Sequence, residues 1–271
     1  MDLGIQWMLS TVAAAALAQQ AGPRLAPASP PPPAEEWRAT HPLPGEGRLR
    51  LENQSGDIRI VGWERDEVQI EAVKRADTAA HLSAVRIEVT STADELGIVT
   101  RQPPKHPARV DYVLHVPHRT RLEQVSTISG DIVVRSVRGK VTASTVNSSV
   151  LATDVAGDVR LRSVNGQVEA QAAAVTDGQT VDLATVNGSV LLTLPEDAKP
   201  SFSGATVNGT ITVGFPVKVT PRFPAGGLLL DRVGPGTVKV LTRTVNGSIR
   251  INAARVRCSC TSGWGVRCES Q

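Results

Sequence analysis

The chain has 271 residues and a formal net charge of +3, with no block of lysine and arginine and no basic stretch interleaved with aromatics, so composition argues against nucleic acid as a partner. Aromatic residues make up only 3%, one Tyr and three Phe among them. A core must therefore be assembled from Val, Ile, Leu and Ala in thin, regular layers, and the 23 glycines fit many short strands broken by turns.

Residues 1–18 read as a secretory signal peptide. The apolar run from Leu9 to Leu17 has the length of such a signal's core, and Ala16-Leu17-Ala18 supplies the cleavage positions, although Asp2 stands where a basic residue is usual. The run is shorter than the roughly 20 apolar residues of a membrane span, and no second run follows. No stable membrane span is expected, and the expected location is exported: periplasmic, cell-surface or extracellular. Residues 19–46 read as a Pro-rich spacer in which Pro30 to Pro33 hold polyproline II. A repeat domain is expected over 47–257 and a Cys-bearing tail over 258–271. The three cysteines, Cys258, Cys260 and Cys268, leave one thiol over in an exported chain. One disulfide, Cys268 with either Cys258 or Cys260, is favoured over zinc, which wants four ligands where no His is near.

Strict alternation marks half-buried strands at Arg48 to Leu51, Asp57 to Ile60, Val68 to Val73, Val85 to Val89 and Val110 to Val116. Asp77 to Ala84 is the one helix-like pause. From Gln124 a unit recurs: Thr145-Val146-Asn147-Ser148, Ser163-Val164-Asn165-Gly166, Thr185-Val186-Asn187-Gly188, Thr206-Val207-Asn208-Gly209 and Thr244-Val245-Asn246-Gly247, with Thr127-Ile128-Ser129-Gly130 more distant. Its asparagines are spaced by 18, 22, 21 and then 38 positions. The last step is about two periods, and Phe215 to Gly236, rich in Pro and Gly, is expected to loop out. A second half-unit, Val137-Arg138-Gly139-Lys140-Val141 and Val155-Ala156-Gly157-Asp158-Val159, alternates with the first. Such self-similarity defines architecture.

Parity assigns Val186, Gly188, Val190, Leu192 and Leu194 to a dry face, with the equivalent residues around Val207 and Val245. It assigns Ser189, Leu191, Thr193, Thr210, Thr212, Ser248 and Arg250 to a wet one. Glycine at an inward position lets the backbone bend or approach its neighbour. Asn-Gly is also the strongest two-residue hairpin signal, which would give an antiparallel meander. In a meander, however, identical motifs would not stack in every layer. A parallel stack places each Asn over the last, so that the carboxamides form a ladder worth about 1 kcal/mol per bond. Asn, and Gly still more, also tolerates the left-handed conformation of a tight corner. The expected fold class is all-β: a parallel, right-handed β-solenoid (β-helix) of short two-strand coils, one strand on each of two facing sheets.

Ser55-Gly56-Asp57-Ile58 before Trp63, Tyr112 to Pro117, Ser129-Gly130-Asp131-Ile132 and the run of Val-Asn-Gly units together resemble the bacterial putative-adhesin β-strand-repeat family, a domain of unknown function. The resemblance spans about Gly47 to Asn252 and implies a parallel β-helix on an exported or envelope-attached protein. It supplies no catalytic residues, and the tail from Cys258 departs from it.

No catalytic, cofactor-binding or metal-binding residue is assigned. Asp57, Asp131 and Asp158 follow a Gly, but Lys140, Ser149, Gln167, Ser189, Thr210 and Ser248 fill the same place, so the acidic column of a calcium solenoid is broken. His115 and His118 flank Val116-Pro117 and read as solvent-facing. Asp111 and His115 could imitate part of a triad, but no nucleophile elbow, zinc motif or phosphate loop accompanies them. A glycan-cleaving β-helix would need two carboxylates within about 10 Å in a cleft, whereas Glu64, Asp66, Glu67, Glu71, Asp94, Glu95 and Asp182 are scattered. Outward Ser189, Thr193, Thr210 and Thr212 form the candidate contact surface, as ribs for a glycan or envelope protein, although Thr is also simply a good exposed strand residue. The expected function is a non-enzymatic, exported adhesin-like or structural envelope protein. The alternatives are a polysaccharide-acting β-helix enzyme and a regulatory partner in envelope sensing.

Overall fold

The computed structural model describes residues 33–103, 108–221 and 225–254 and the strands 256–261 and 265–270. The signal at 1–18 and most of the polyproline run lie outside the described residues. The first strands are β1 (Ala34–Pro42), β2 (Arg48–Glu52), β3 (Ile58–Trp63) and β4 (Glu67–Arg75). After them come the short helix α1 (Ala79–Ser83), β5 (Arg86–Ser91), β6 (Glu95–Arg101) and β7 (Arg109–Pro117). The repeats contribute β8 (Arg121–Ser126), β9 (Ile132–Arg135), β10 (Val141–Ser144), β11 (Val150–Val155), β12 (Val159–Arg162), β13 (Val168–Ala172), β14 (Thr180–Ala184) and β15 (Val190–Pro195). Then follow β16 (Pro200–Asn208), β17 (Ile211–Val213), β18 (Val219–Pro221), β19 (Gly227–Arg232), β20 (Val238–Asn246) and β21 (Ile249–Ala254), with β22 (Val256–Thr261) and β23 (Gly265–Ser270) last.

The chain is all-β, built on two large mixed sheets and not a closed barrel. One sheet has the order β1-β4-β7-β3-β9-β11-β13-β15-β21-β17, the other β18-β19-β16-β20-β14-β12-β10-β8-β2-β6-β5. From β8 to β15 the chain alternates between them, and every neighbouring pair in that region is parallel. Within these two sheets antiparallel pairs are confined to the flanks, at β1-β4-β7, β5-β6 and β16-β19-β18.

Register explains the core. Ile132, Val150, Val168, Val190 and Ile249 are direct partners across successive strands of one sheet. Leu122, Val141, Val159, Val181 and Val240 are partners in the other. All ten are at most 2% exposed. Each contributes about 1.5–3 kcal/mol of burial, and β-branched side chains stacked over their own kind fill the interior without large rings.

The structure departs from the sequence reading in four places. The second half of the 19–46 spacer is not a spacer: β1 pairs with β4 over its whole length. Trp37, Ala39 and His41 alternate with exposed residues there and face Ala72, Ile70 and Val68, a two-residue period hidden by the prolines around it. The stretch Phe215 to Gly236 is not a simple loop, because β18 and β19 lie within it and β19 pairs with β16. The repeats do not stack in chain order either: β20 and β21 are inserted between β14/β15 and β16/β17. The tail expected from 258 is preceded by strand residues from Val256, and β22 and β23 form a sheet of their own. In that hairpin Cys258 is the register partner of Cys268.

Candidate functional site

The chain turns from one sheet to the other through the Thr/Ser-Val-Asn-Gly unit, and each of its four residues has a separate task. The hydroxyl residue is buried and points back along the stack. Thr145 Oγ1 donates to the Gly130 carbonyl at 3.2 Å, Ser163 Oγ to Ser148 at 2.8 Å, Thr185 Oγ1 to Gly166 at 2.9 Å, Thr244 Oγ1 to Gly188 at 2.9 Å and Thr206 Oγ1 to Gly247 at 2.8 Å. The asparagines form the expected ladder in the spatial order 147, 165, 187, 246, 208. Each Nδ2 donates to the neighbouring Oδ1: Asn165 to Asn147 at 3.0 Å, Asn187 to Asn165 at 2.9 Å, Asn246 to Asn187 at 2.8 Å and Asn208 to Asn246 at 2.8 Å.

Glycine is required for closeness, not for handedness. A Cβ at Gly188 would lie 2.0 Å from the Gly166 carbonyl oxygen of the preceding corner. The left-handed corner expected of Asn-Gly is not formed. Among the described residues the non-glycine positive φ values belong to Ser136 and Asp154, and Gly188 is not among the positive-φ glycines.

The valine of the unit corrects the parity assignment. Val186, Val207 and Val245 were expected inward and are 40%, 58% and 40% exposed. A corner stands between them and the next strand, so alternation counted back from Val190 does not run through it. Ile128, Val146 and Val164 occupy the same place at 51%, 38% and 40%. Ile128, Val146, Val164 and Val186 form one wall of a gutter of about 530 Å³ whose floor is Thr127, Thr145, Ser163 and Thr185 and whose other wall is Ser126, Ser144, Arg162 and Ala184.

None of the acids singled out by sequence lines this gutter. Asp182 is 4% exposed, with Arg160 at 3.3 Å, Arg162 at 3.2 Å and Arg243 at 3.7 Å around it. Glu64 faces His118 Nε2 at 3.4 Å, Glu71 accepts from Gln69, and Asp94 and Glu95 pair with Arg48. What the register does bring together is Asp111, Asp57 and Asp131 on adjacent strands. Asp111 Oδ1 accepts the Asp57 N–H at 2.9 Å, Asp57 Oδ1 accepts the Asp131 N–H at 3.0 Å, and Asp131 Oδ1 accepts the Ser149 N–H at 2.9 Å. Arg109 bridges Asp57 and Asp111 at 2.8 and 2.9 Å, and Arg75 pairs with Asp111. Partial burial works to lower the Arg109 guanidinium, but the two carboxylates outweigh it and hold it above its ordinary value. A second cavity, of about 370 Å³, is lined by Asp177, Asp197 and Lys199, none of which the sequence singled out. Asp177 and Asp197 lie far apart in sequence, and only the stacking of one coil on the next brings them to one cavity.

His115 is half-buried on the outward face of β7. It packs against Trp63 with ring centroids 5.4 Å apart, and its Nδ1 is buried without a hydrogen-bond partner. His118 Nδ1 lies 2.6 Å from the Ser136 carbonyl. Among the described residues no group of three or more His, Cys, Asp and Glu is placed to hold a metal ion. The expected hydroxyl ribs are short. Ser248 and Thr210 touch at 3.2 Å, but Leu191, Arg250 and Thr212 align across the strands and Thr193 meets Asn252. Among the described residues no helix is long and apolar enough to cross a membrane.

No protein-family model matches the chain, and no curated protein matches it. It is similar to solved structures at low identity. One is a Clostridium sporogenes protein named "putative cell adhesion protein", at 11% identity over 80% of this chain and 99% of that one, with a TM-score of 0.46. A "putative adhesin" from Bacteroides fragilis matches at 12% over 80% and 97%, TM-score 0.39. A "putative lipid binding protein" from Parabacteroides distasonis matches at 10% over 80% and 96%, TM-score 0.34.

Proposed function

We propose that the chain is a non-enzymatic, exported adhesin-like or structural envelope protein whose two mixed sheets wind as a right-handed parallel β-solenoid of two-strand coils. The observation that carries this reading is the asparagine ladder over five neighbouring corners. It repeats one side chain at one place along the stack and so presents a long, regular face. Right-handed winding follows from the chirality of parallel crossovers. Residues 1–18 direct export, the residues before β1 are the spacer, and the contact surface for a glycan or envelope protein is the outward patch around Ser189, Ser248 and Thr210. Cell fractionation tests the reading: the protein is expected in the envelope or the medium, and recovery from the cytosol overturns it. A glycan array with S189A/S248A/T210A as control tests the contact face.

One observation favours the polysaccharide-enzyme alternative, namely that Asp177 and Asp197 line one cavity with Lys199. Under that reading D177N and D197N each abolish release of reducing ends from envelope polysaccharide. Absence of such release by the unmodified protein ends it.

A further inference from the structure

The gutter beneath the exposed valines has a chemistry that selects its occupant. Ile128, Val146, Val164 and Val186, which line it, and Val245 beyond them occupy five consecutive corners of the stack, joined by backbone bonds from Asn147 to Ile128, Asn165 to Val146, Asn187 to Val164 and Asn246 to Val186 at 2.7–2.9 Å. At about 4.8 Å per strand the apolar wall is about 19 Å long.

The backbone acceptors bordering it are already used. The bonds just named occupy the carbonyls of the valine wall. On the opposite wall the carbonyls of Ser144, Arg162, Ala184 and Arg243 accept the N–H groups of Thr127, Thr145, Ser163 and Thr185 at 3.0–3.1 Å. On the floor Thr145, Ser163 and Thr185 donate their hydroxyls to the neighbouring corner, and Thr127 Oγ1 is buried below the surface. A peptide or sugar lying here would find these backbone carbonyls already occupied when its own polar donors sought partners. A hydrocarbon chain has none to pair. A second copy of this protein is a poor occupant too: a strip this long and one side chain wide offers about 200 Å², against the ~800 Å² per partner of a stable interface.

Charge fixes the head group and its direction. The polar wall runs Ser126, Ser144, Arg162, Ala184 across adjacent strands, and the register continues past the cavity lining to Glu52 at one end and Arg243 at the other. Arg160, Arg162 and Arg243 converge on the single carboxylate of Asp182, with guanidinium side chains 53–59% exposed. One end of the gutter is therefore cationic and the other ends at an acid. We propose that the gutter binds a free long-chain carboxylate, its head between Arg162 and Arg243 and its tail along Val186, Val164 and Val146 toward Ile128. This site is independent of the adhesin-like reading and stands or falls separately from it.

Methyl NMR of the full chain titrated with sodium dodecanoate below its micelle concentration tests the assignment. Saturable shifts are expected at Ile128, Val146, Val164 and Val186. V146T/V164T/V186T, which keeps side-chain shape at exposed positions, should weaken binding at least about tenfold. R162Q/R243Q should weaken it about fivefold and remove the preference for dodecanoate over the nonionic dodecyl maltoside. V164T alone, and the unmodified protein's own shift map, keep the test open if a multiple variant loses its fold. Shifts elsewhere, or none, overturn the proposal. So does binding only to phosphatidylglycerol vesicles, which would make the site a bilayer contact, or concentration-dependent stripe shifts without dodecanoate, which would make it a self-contact.

Discussion

At the scale of the residue, the corner unit shows how one short motif divides its labour. Asn187 both donates and accepts in the ladder, whereas Asn208, at its end, donates only to Asn246. Thermal melting should therefore find N187A less stable than N208A by about 1 kcal/mol, one exposed hydrogen bond. Equal midpoints would mean that the asparagines are independent surface groups. Tyr112 is the only tyrosine in the chain and offers a second measurement. It is 1% exposed and its hydroxyl lies 2.7 Å from Thr100 Oγ1. Burial pushes its phenol up to about 12, against a smaller lowering by the bond to Thr100. The folded state thus favours the neutral phenol. That stabilisation is complete below the unfolded value near 10 and is lost as pH climbs toward 12, by about 2–3 kcal/mol in all. Melting from pH 8 to 12 should fall more steeply for the natural protein than for Y112F, and phenolate absorbance should titrate late. A normal titration would place the ring in water.

At the scale of the element, the inserted coil is the feature with the largest consequence. β20 lies between β14 and β16, and β21 between β15 and β17, although both are made after β16 and β17. The slot they fill cannot close until the C-terminal strands arrive, so their contacts are long-range and should form late. Val240, 1% exposed between Val181 and Phe202, is the probe. V240A should cost about 1–3 kcal/mol of core packing, expressed in faster unfolding with the folding rate changed less than about twofold. A folding arm slowed in proportion would put this coil in the nucleus. The insertion also explains a sequence misreading: the step of 38 between Asn208 and Asn246 looks like one skipped coil, yet Asn246 sits against Asn187 and Asn208 lies beyond it. A period measures distance along the chain and is silent about the order in which strands are laid down.

At the scale of the whole molecule, the parallel stack and its antiparallel flanks solve one problem in two ways. In the middle, like pairs with like, and no large side chain is needed to fill the core. At the ends, β1-β4 and β19-β18 turn the pairing antiparallel and leave short or charged edge strands, as in β18, three residues long, which limits pairing with other chains. β1 was concealed because its alternation lies next to a proline run, and its reason for ordering, the buried Ala72, Ile70 and Val68 of β4, is a partner far along the chain.

The sequence by itself determined the strands of the repeats, their dry and wet faces, the stacking of the repeats in one direction and the ladder of asparagines, because all of these follow from a local period repeated many times. It could not determine where parity breaks, and so it turned Val186 inward when the corner turns it out. It could not place Asp111 beside Asp57, Asp177 and Asp197 on one cavity, or Arg162 and Arg243 around Asp182, since each of these depends on how coils stack, which only tertiary packing sets. The apolar gutter belongs to that second class: its valines were plain in the sequence, and only the turn of the chain at each corner decided that they face water together.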